Sequence, residues 1–200
     1  MKMHLTVAPY LLLSSFSALT NALYIKNAVR SRGCGTKLFP TLYMVKEASP
    51  STISAPKPPF LVSQDVSATS VKSNRVYTVA HVVDPSFAGS WGCTLHLMVP
   101  TSTVLTVRGS AALDVKLVSW PAGSFDPTWN NIKPLIQSGT LSTVTATAGG
   151  DMYINSGSCP ASGTTTGLTY LFEAAEYLSI TSVVSFNASG PIGPYLTFGC

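Results

Sequence analysis

Charge is scarce in this chain. Only 10% of its residues are Asp, Glu, Lys or Arg, against about 25% in an ordinary soluble domain, while 46% are hydrophobic, so disorder throughout is excluded. Twelve basic and eight acidic side chains leave a net charge of +4, too weak a field to argue for nucleic acid. No Cys-x-x-Cys pair and no neighbouring set of Cys and His occurs, so zinc is not expected, nor any other metal or cofactor. No Gly-x-Ser-x-Gly elbow surrounds any serine, which lowers the serine hydrolases. No stretch supplies the roughly 20 strongly apolar residues that a membrane span needs.

What is present begins with an export pattern. Residues 1–22 carry a basic start at Lys2, an apolar stretch over Leu5–Leu19 interrupted by Pro9 and hydroxyl residues, and small residues at the end. Thr20 and Ala22 suit the small-residue requirement of a cut before Leu23, so 1–22 is expected to be a signal peptide and the protein secreted. A new N-terminal Leu23 removes a copper oxygenase, which needs histidine there. The chain closes on Gly199-Cys200 without an apolar tail, which disfavours a glycosylphosphatidylinositol anchor. Four cysteines, Cys34, Cys93, Cys159 and Cys200, form an even set in an exported chain and argue for two disulfides, with three pairings open. Cys200 is expected to clamp the last strand to the body, with Cys93 its favoured partner. Asn187-Ala188-Ser189 is a glycosylation acceptor by pattern.

The charges divide the chain. Over 23–75 eight basic residues face two acids, and over 76–200 three basic residues face six. Between Ser49 and Pro59 four prolines bias the backbone towards an extended connector. Residues 23–59 therefore read as a basic leader and connector, solvated by its scattered charges, with the compact domain over 60–200.

Beyond Phe60 short alternating segments are separated by Gly and Pro. Arg75–Val83, Cys93–Val99 and Ala112–Ser119 alternate most clearly. Thr103–Val107, Leu141–Thr147, Leu168–Glu173, Tyr177–Val184 and Pro194–Phe198 complete about eight strands. Only Trp129–Gln137 hints at a helical turn. The expected fold is all-β, an antiparallel β-sandwich with one core.

The stretch Val79-Ala80-His81-Val82-Val83-Asp84-Pro85-Ser86-Phe87-Ala88-Gly89, with Gly92-Cys93-Thr94-Leu95-His96-Leu97-Met98-Val99-Pro100, resembles a fungal domain family. So does Ser158-Cys159-Pro160 ahead of Leu168-Thr169-Tyr170-Leu171-Phe172-Glu173, and the ending Pro191-Ile192-Gly193-Pro194-Tyr195-Leu196-Thr197-Phe198-Gly199-Cys200. Over 60–200 the chain looks like the C-terminal domain of the But-two family, named for binding the ubiquitin-like activating subunit Uba-three. The resemblance implies a β-sandwich-like domain of exported fungal proteins, mostly without assigned activity, and carries over no catalytic residues. Ubiquitin-pathway binding is not carried over, because an exported protein does not meet a cytosolic conjugation enzyme.

Three sets of residues carry candidate chemistry. His81, His96 and Asp84 would form a metal or proton-transfer cluster if their strands lay side by side; the expectation is that each is satisfied locally. Glu173 and Glu176, with Asp114, Asp126 and Asp151, supply the carboxylate pairs of a glycoside hydrolase, the alternative reading, although Glu173 and Glu176 flank an expected turn at Ala174-Ala175 where solvated acids are ordinary. Trp91, Trp120 and Trp129, with Tyr153 and Tyr195, offer flat faces for sugar rings. The expected role is non-catalytic: binding cell-wall polysaccharide or another extracellular protein, with Trp91, Trp120 and Trp129 as contacts.

Overall fold

The computed structural model describes residues 36–56, 59–84, 90, 92–121, 125–155, 159 and 167–198. These lie in one compact unit, Cys34–Cys200. The expected signal peptide, Cys34, Trp91 and Cys200 fall outside the described residues.

Alternation of apolar and polar side chains organises the strands, and all the pairings are antiparallel. One sheet has four strands in the order β1 (Thr36–Leu38), β12 (Gly193–Phe198), β5 (Thr94–Val99) and β9 (Gly150–Asn155). The other has eight. Its path runs β6 (Thr106–Arg108), β11 (Ser182–Phe186), β3 (Phe60–Val66), β4 (Lys72–Val82), β10 (Leu168–Ala174), β7 (Ala112–Leu117) and β8 (Ser142–Thr145), and β2 (Thr41–Lys46) also pairs with β4. Strand β4 has three partners but only two edges, so its length is shared. β2 and β10 both take its C-terminal half, while the register of β3 to β4 shifts between Ser63 and Asp65.

The main core lies between the sheets. In β5, Leu95, Leu97 and Val99 point inward and are fully buried, as the two-residue period requires, and they meet Phe60, Val62, Phe172, Phe186, Leu196 and Phe198 in one cluster. A second cluster sits on the opposite face of the larger sheet, where Val45, Tyr77, Val79 and Leu171 are covered by Val118, Trp129 and Ile132. This is why β10 reads as a nearly continuous buried run: Tyr170 and Phe172 belong to one cluster and Leu171 to the other. The cover is a short helix α1 (Trp129–Ile132), capped by the Thr128 hydroxyl, which accepts from the Asn131 N–H at 3.2 Å, and a 3-10 turn over Lys133–Leu135. Pro134 interrupts neither, because the first positions of a helical turn need no N–H donor.

The all-β expectation holds, with three corrections. The described residues contain twelve strands rather than about eight; β1, β2, β3 and β9 were not among the expected segments, and β11 begins at Ser182, after a loop that leaves Tyr177 exposed. The boundary near Phe60 moves to Cys34, since β1 and β2 are hydrogen-bonded into the two sheets; residues 36–46 are part of the sandwich and not of a solvated leader. Cys93 is joined to Cys159 and not to Cys200. The register explains it: β5 and β9 pair Thr94 with Asn155, so the residue before one strand and the segment after the other lie together, with Cα atoms 5.0 Å apart.

Candidate functional site

The link between β1 and β2, Phe39-Pro40, passes from one sheet to the other, and a cleft opens on each side of Phe39. The smaller holds about 340 Å³ and is lined by Leu38, Phe39, Thr41, Tyr43, His81 and Phe125 together with Val82, Val83 and Asp84. The larger, about 510 Å³, runs between Phe39-Pro40-Thr41-Leu42 and Ala188, Ile192 and Pro194. Both fall at the lower end of the range for small-ligand sites, about 300–1,000 Å³.

The smaller cleft has the richer chemistry. Strand alternation places Tyr43 and His81 on the outer face of the larger sheet, and Phe125 folds back over them. Its ring stacks on His81 at 3.9 Å between centroids and 10° between planes, and meets Tyr43 at 4.9 Å and Trp120 at 4.6 Å. His81 is fixed by a 2.8 Å hydrogen bond between Nδ1 and the Thr169 hydroxyl. Burial pushes its pKa down to about 4, and burial raises that of Tyr43, so at neutral pH the imidazole and phenol are both uncharged. Gly167 allows the close packing behind the imidazole, since a Cβ there would stand 2.3 Å from the Val82 carbonyl oxygen and 3.0 Å from His81 Cε1.

The aromatic residues singled out in the sequence separate. Trp120 is half-buried at Phe125 and belongs to this cluster. Trp129 does not: it is 7% exposed and stacks on Tyr77 at 4.3 Å, so its role as a binding contact is corrected to core packing. Tyr153 is 65% exposed and Tyr195 only 2%, both on the outer face of the smaller sheet. Phe125 and Tyr43 were missed, and their signal lay in the aromatic count of the loop and leader rather than in tryptophan alone.

The acids are committed elsewhere. Glu173 is buried inside β10, contrary to the expected solvated turn, with Lys116 Nζ 2.6 Å and Arg75 Nη1 4.0 Å from its carboxylate. Arg75 also pairs with Glu47 at 2.8 Å, and the Tyr77 hydroxyl donates to the same Glu47 oxygen at 2.9 Å. Burial by itself would raise the pKa of Glu47, but the hydrogen bonds from Arg75 and Tyr77 and the arginine charge hold it below the ordinary value. Asp114, opposite Glu173 in the register, accepts from the Thr143 hydroxyl and, at 2.7 Å, from the Glu176 N–H. Asp126 accepts from the Asn131 side chain at 3.1 Å. None of these acids lines either cleft; the acid that does is Asp84, at the smaller one.

The two histidines lie on different sheets. His96, on the outer face of the smaller one, has Asp151 Oδ1 3.5 Å from Nδ1 and the Thr197 hydroxyl 3.2 Å from Nε2. Tyr195 stacks on it at 4.5 Å and 7° and donates its hydroxyl to Asp151 Oδ2 at 2.6 Å. Lys37 Nζ stands 4.4 Å above the Tyr195 ring. Among the described residues no group of three or more His, Cys, Asp or Glu is placed to hold a metal ion, and no helix is long and apolar enough to cross a membrane. Asn187 is exposed, directly after β11.

No protein-family model matches the chain, and no curated protein matches it.

Proposed function

We propose that the protein is an exported binding domain of the extracellular or cell-surface kind, and that the cleft between Tyr43, His81 and Phe125 takes a neutral sugar unit of a polysaccharide without cleaving it. The observation that carries this reading is the Phe125 cluster: the Tyr43 and Trp120 rings and a neutral imidazole gathered around Phe125 at the wall of a 340 Å³ cleft. Flat apolar faces suit the C–H faces of a sugar ring, and the phenol, the imidazole and Asp84, which also lines the cleft, offer hydrogen-bond partners to its hydroxyls. Asp84 is the one acid among the described residues lining this cleft, which supports binding over glycoside hydrolysis, where two carboxyl groups flank the ligand. The export pattern of 1–22, the oxidised Cys93–Cys159 pair and the likeness of 60–200 to the But-two C-terminal domain support an extracellular setting.

The test is retention on insoluble glucan and chitin. Wild type is expected to be retained, while Phe125→Ala and Tyr43→Ala each weaken retention by about tenfold or more, the loss of about 1.4 kcal/mol of stacking. Equal retention of all three, or none by wild type, removes the reading.

A further inference from the structure

The outer face of the smaller sheet carries a second constellation that the cleft does not use. Cross-strand register brings it together: Tyr195 opposes His96, His96 opposes Tyr153, and Lys37 opposes Thr197. All these side chains share one face by the two-residue period. Within it, an acid, an imidazole and a hydroxyl form a chain, Asp151 to His96 Nδ1 and His96 Nε2 to Thr197 Oγ1, at 3.5 and 3.2 Å. This is the order in which an orienting carboxylate, a base and a nucleophile act together, and such contacts are commonly loose before substrate arrives. Asp151 is itself held by the Tyr195 hydroxyl. His96 is clamped between the stacked Tyr195 ring and the edge contact of Tyr153 at 5.8 Å. β-branching stiffens the Thr197 side chain about χ1.

We propose that Thr197 is an acyl-accepting nucleophile for small carboxylic esters, with His96 as its base and Asp151 as the positioning residue. Thr197 Oγ1 attacks the ester carbonyl carbon as its proton passes to His96 Nε2, and the carbonyl oxygen takes up the negative charge. The Lys37 ammonium, carried opposite Thr197 on β1, supplies the compensating positive charge on this face. When the carbonyl re-forms, the ester C–O bond breaks and the departing alcohol oxygen takes the proton from His96. An O-acyl threonine and an alcohol result, and water activated by the same nitrogen returns the threonine and the acid. A base must be neutral to act, and burial together with Lys37 lowers the His96 pKa, with Asp151 opposing. This site stands apart from the sugar-binding reading and survives its failure.

The experiment is acetylation of the full chain by p-nitrophenyl acetate at neutral pH, followed by intact mass and peptide mapping. One acetyl group on Thr197 and a matching burst of nitrophenol are expected. Thr197→Val and His96→Gln are expected to abolish both, and Thr197→Ser to retain them. Asp151→Asn is expected to slow the burst by about a hundredfold, the scale of a lost acid–base alignment, and to shift its pH midpoint downward. That shift follows because the carboxylate opposes the lowering of His96. The other titratable groups facing His96 (Lys37, Tyr153 and Tyr195) remain unchanged in that variant. Each variant is checked by thermal melting, so that unfolding is not mistaken for lost reactivity. Acetylation confined to lysines or the N-terminus, or a burst unchanged in folded Thr197→Val, overturns the proposal.

Discussion

At the residue scale, His81 and Glu47 set the acid response of the fold. His81 has a folded pKa of about 4 against an ordinary 6.5. Protonation therefore favours the unfolded chain, and the stability present above pH 6.5 is lost as pH falls from there through about 4. Glu47 is also lowered, so its contribution is present above the ordinary carboxylate value of 4.5 and disappears only below it. Urea unfolding is expected to show stability level above pH 6.5 and falling below it. His81→Gln should remove on the order of 1–2 kcal/mol of the decline between pH 6.5 and 4, the full effect of that displacement being discounted for partial exposure. An unchanged slope in the variant contradicts the burial argument. Gly167→Ala belongs to the same scale. The added methyl drives into the Val82 carbonyl and the His81 ring, and a loss of about 1–3 kcal/mol is expected from overpacking, read by thermal melting.

At the element scale, residues 118–121 and 125–136 cover the second core. Val118 and Ile136 close it by an isolated bridge, the Ser119 N–H donates to the Leu135 carbonyl and the Gln137 N–H to that of Leu117. Trp129→Ala is expected to destabilise the protein by about 3–5 kcal/mol, and Trp120→Ala, half-buried against Phe125, by much less. Equal melting temperatures for the two contradict their assignment to core and site. The same segment shows where sequence stops being legible. Strand β5 was readable because one face is buried and the other is not, so Leu95, Leu97 and Val99 alternate with Thr94, His96 and Met98. Trp129 was not, because the difference between a binding tryptophan and a buried one lies in Tyr77, contributed by a strand far away in the chain. Strands β1 and β2 were hidden by their lysines, Lys37 and Lys46, which are exposed as a leader's would be; the pairing of their backbones with distant strands is what the sequence does not show.

At the scale of the whole molecule, the two parts of the chain with uneven charge meet in an ion pair among the described residues. Arg75 from the basic part reaches Glu173 from the acidic part, and Lys116 completes the pairing. A buried carboxylate so paired costs about 3–5 kcal/mol when one partner is removed, and such partners cannot be found from spacing along the sequence. The Cys93–Cys159 bond fastens the smaller sheet across a separation of 66 residues. By the loop-closure argument it contributes about 4 kcal/mol. The double variant Cys93→Ser with Cys159→Ser is expected to unfold at correspondingly lower urea, and reduction should have the same effect on wild type. Insensitivity of wild type to reductant contradicts this account of the bond.

The claim on which the molecule's role rests is that a sugar enters beside Phe125, where Trp120 reports on it. Tryptophan fluorescence titrated with soluble glucan and chitin oligosaccharides tests this most directly. The account predicts a saturable change in emission for at least one series, absent in Trp120→Phe and weakened by about tenfold or more in Phe125→Ala. No change with any oligosaccharide, or an undiminished response in Phe125→Ala, contradicts it.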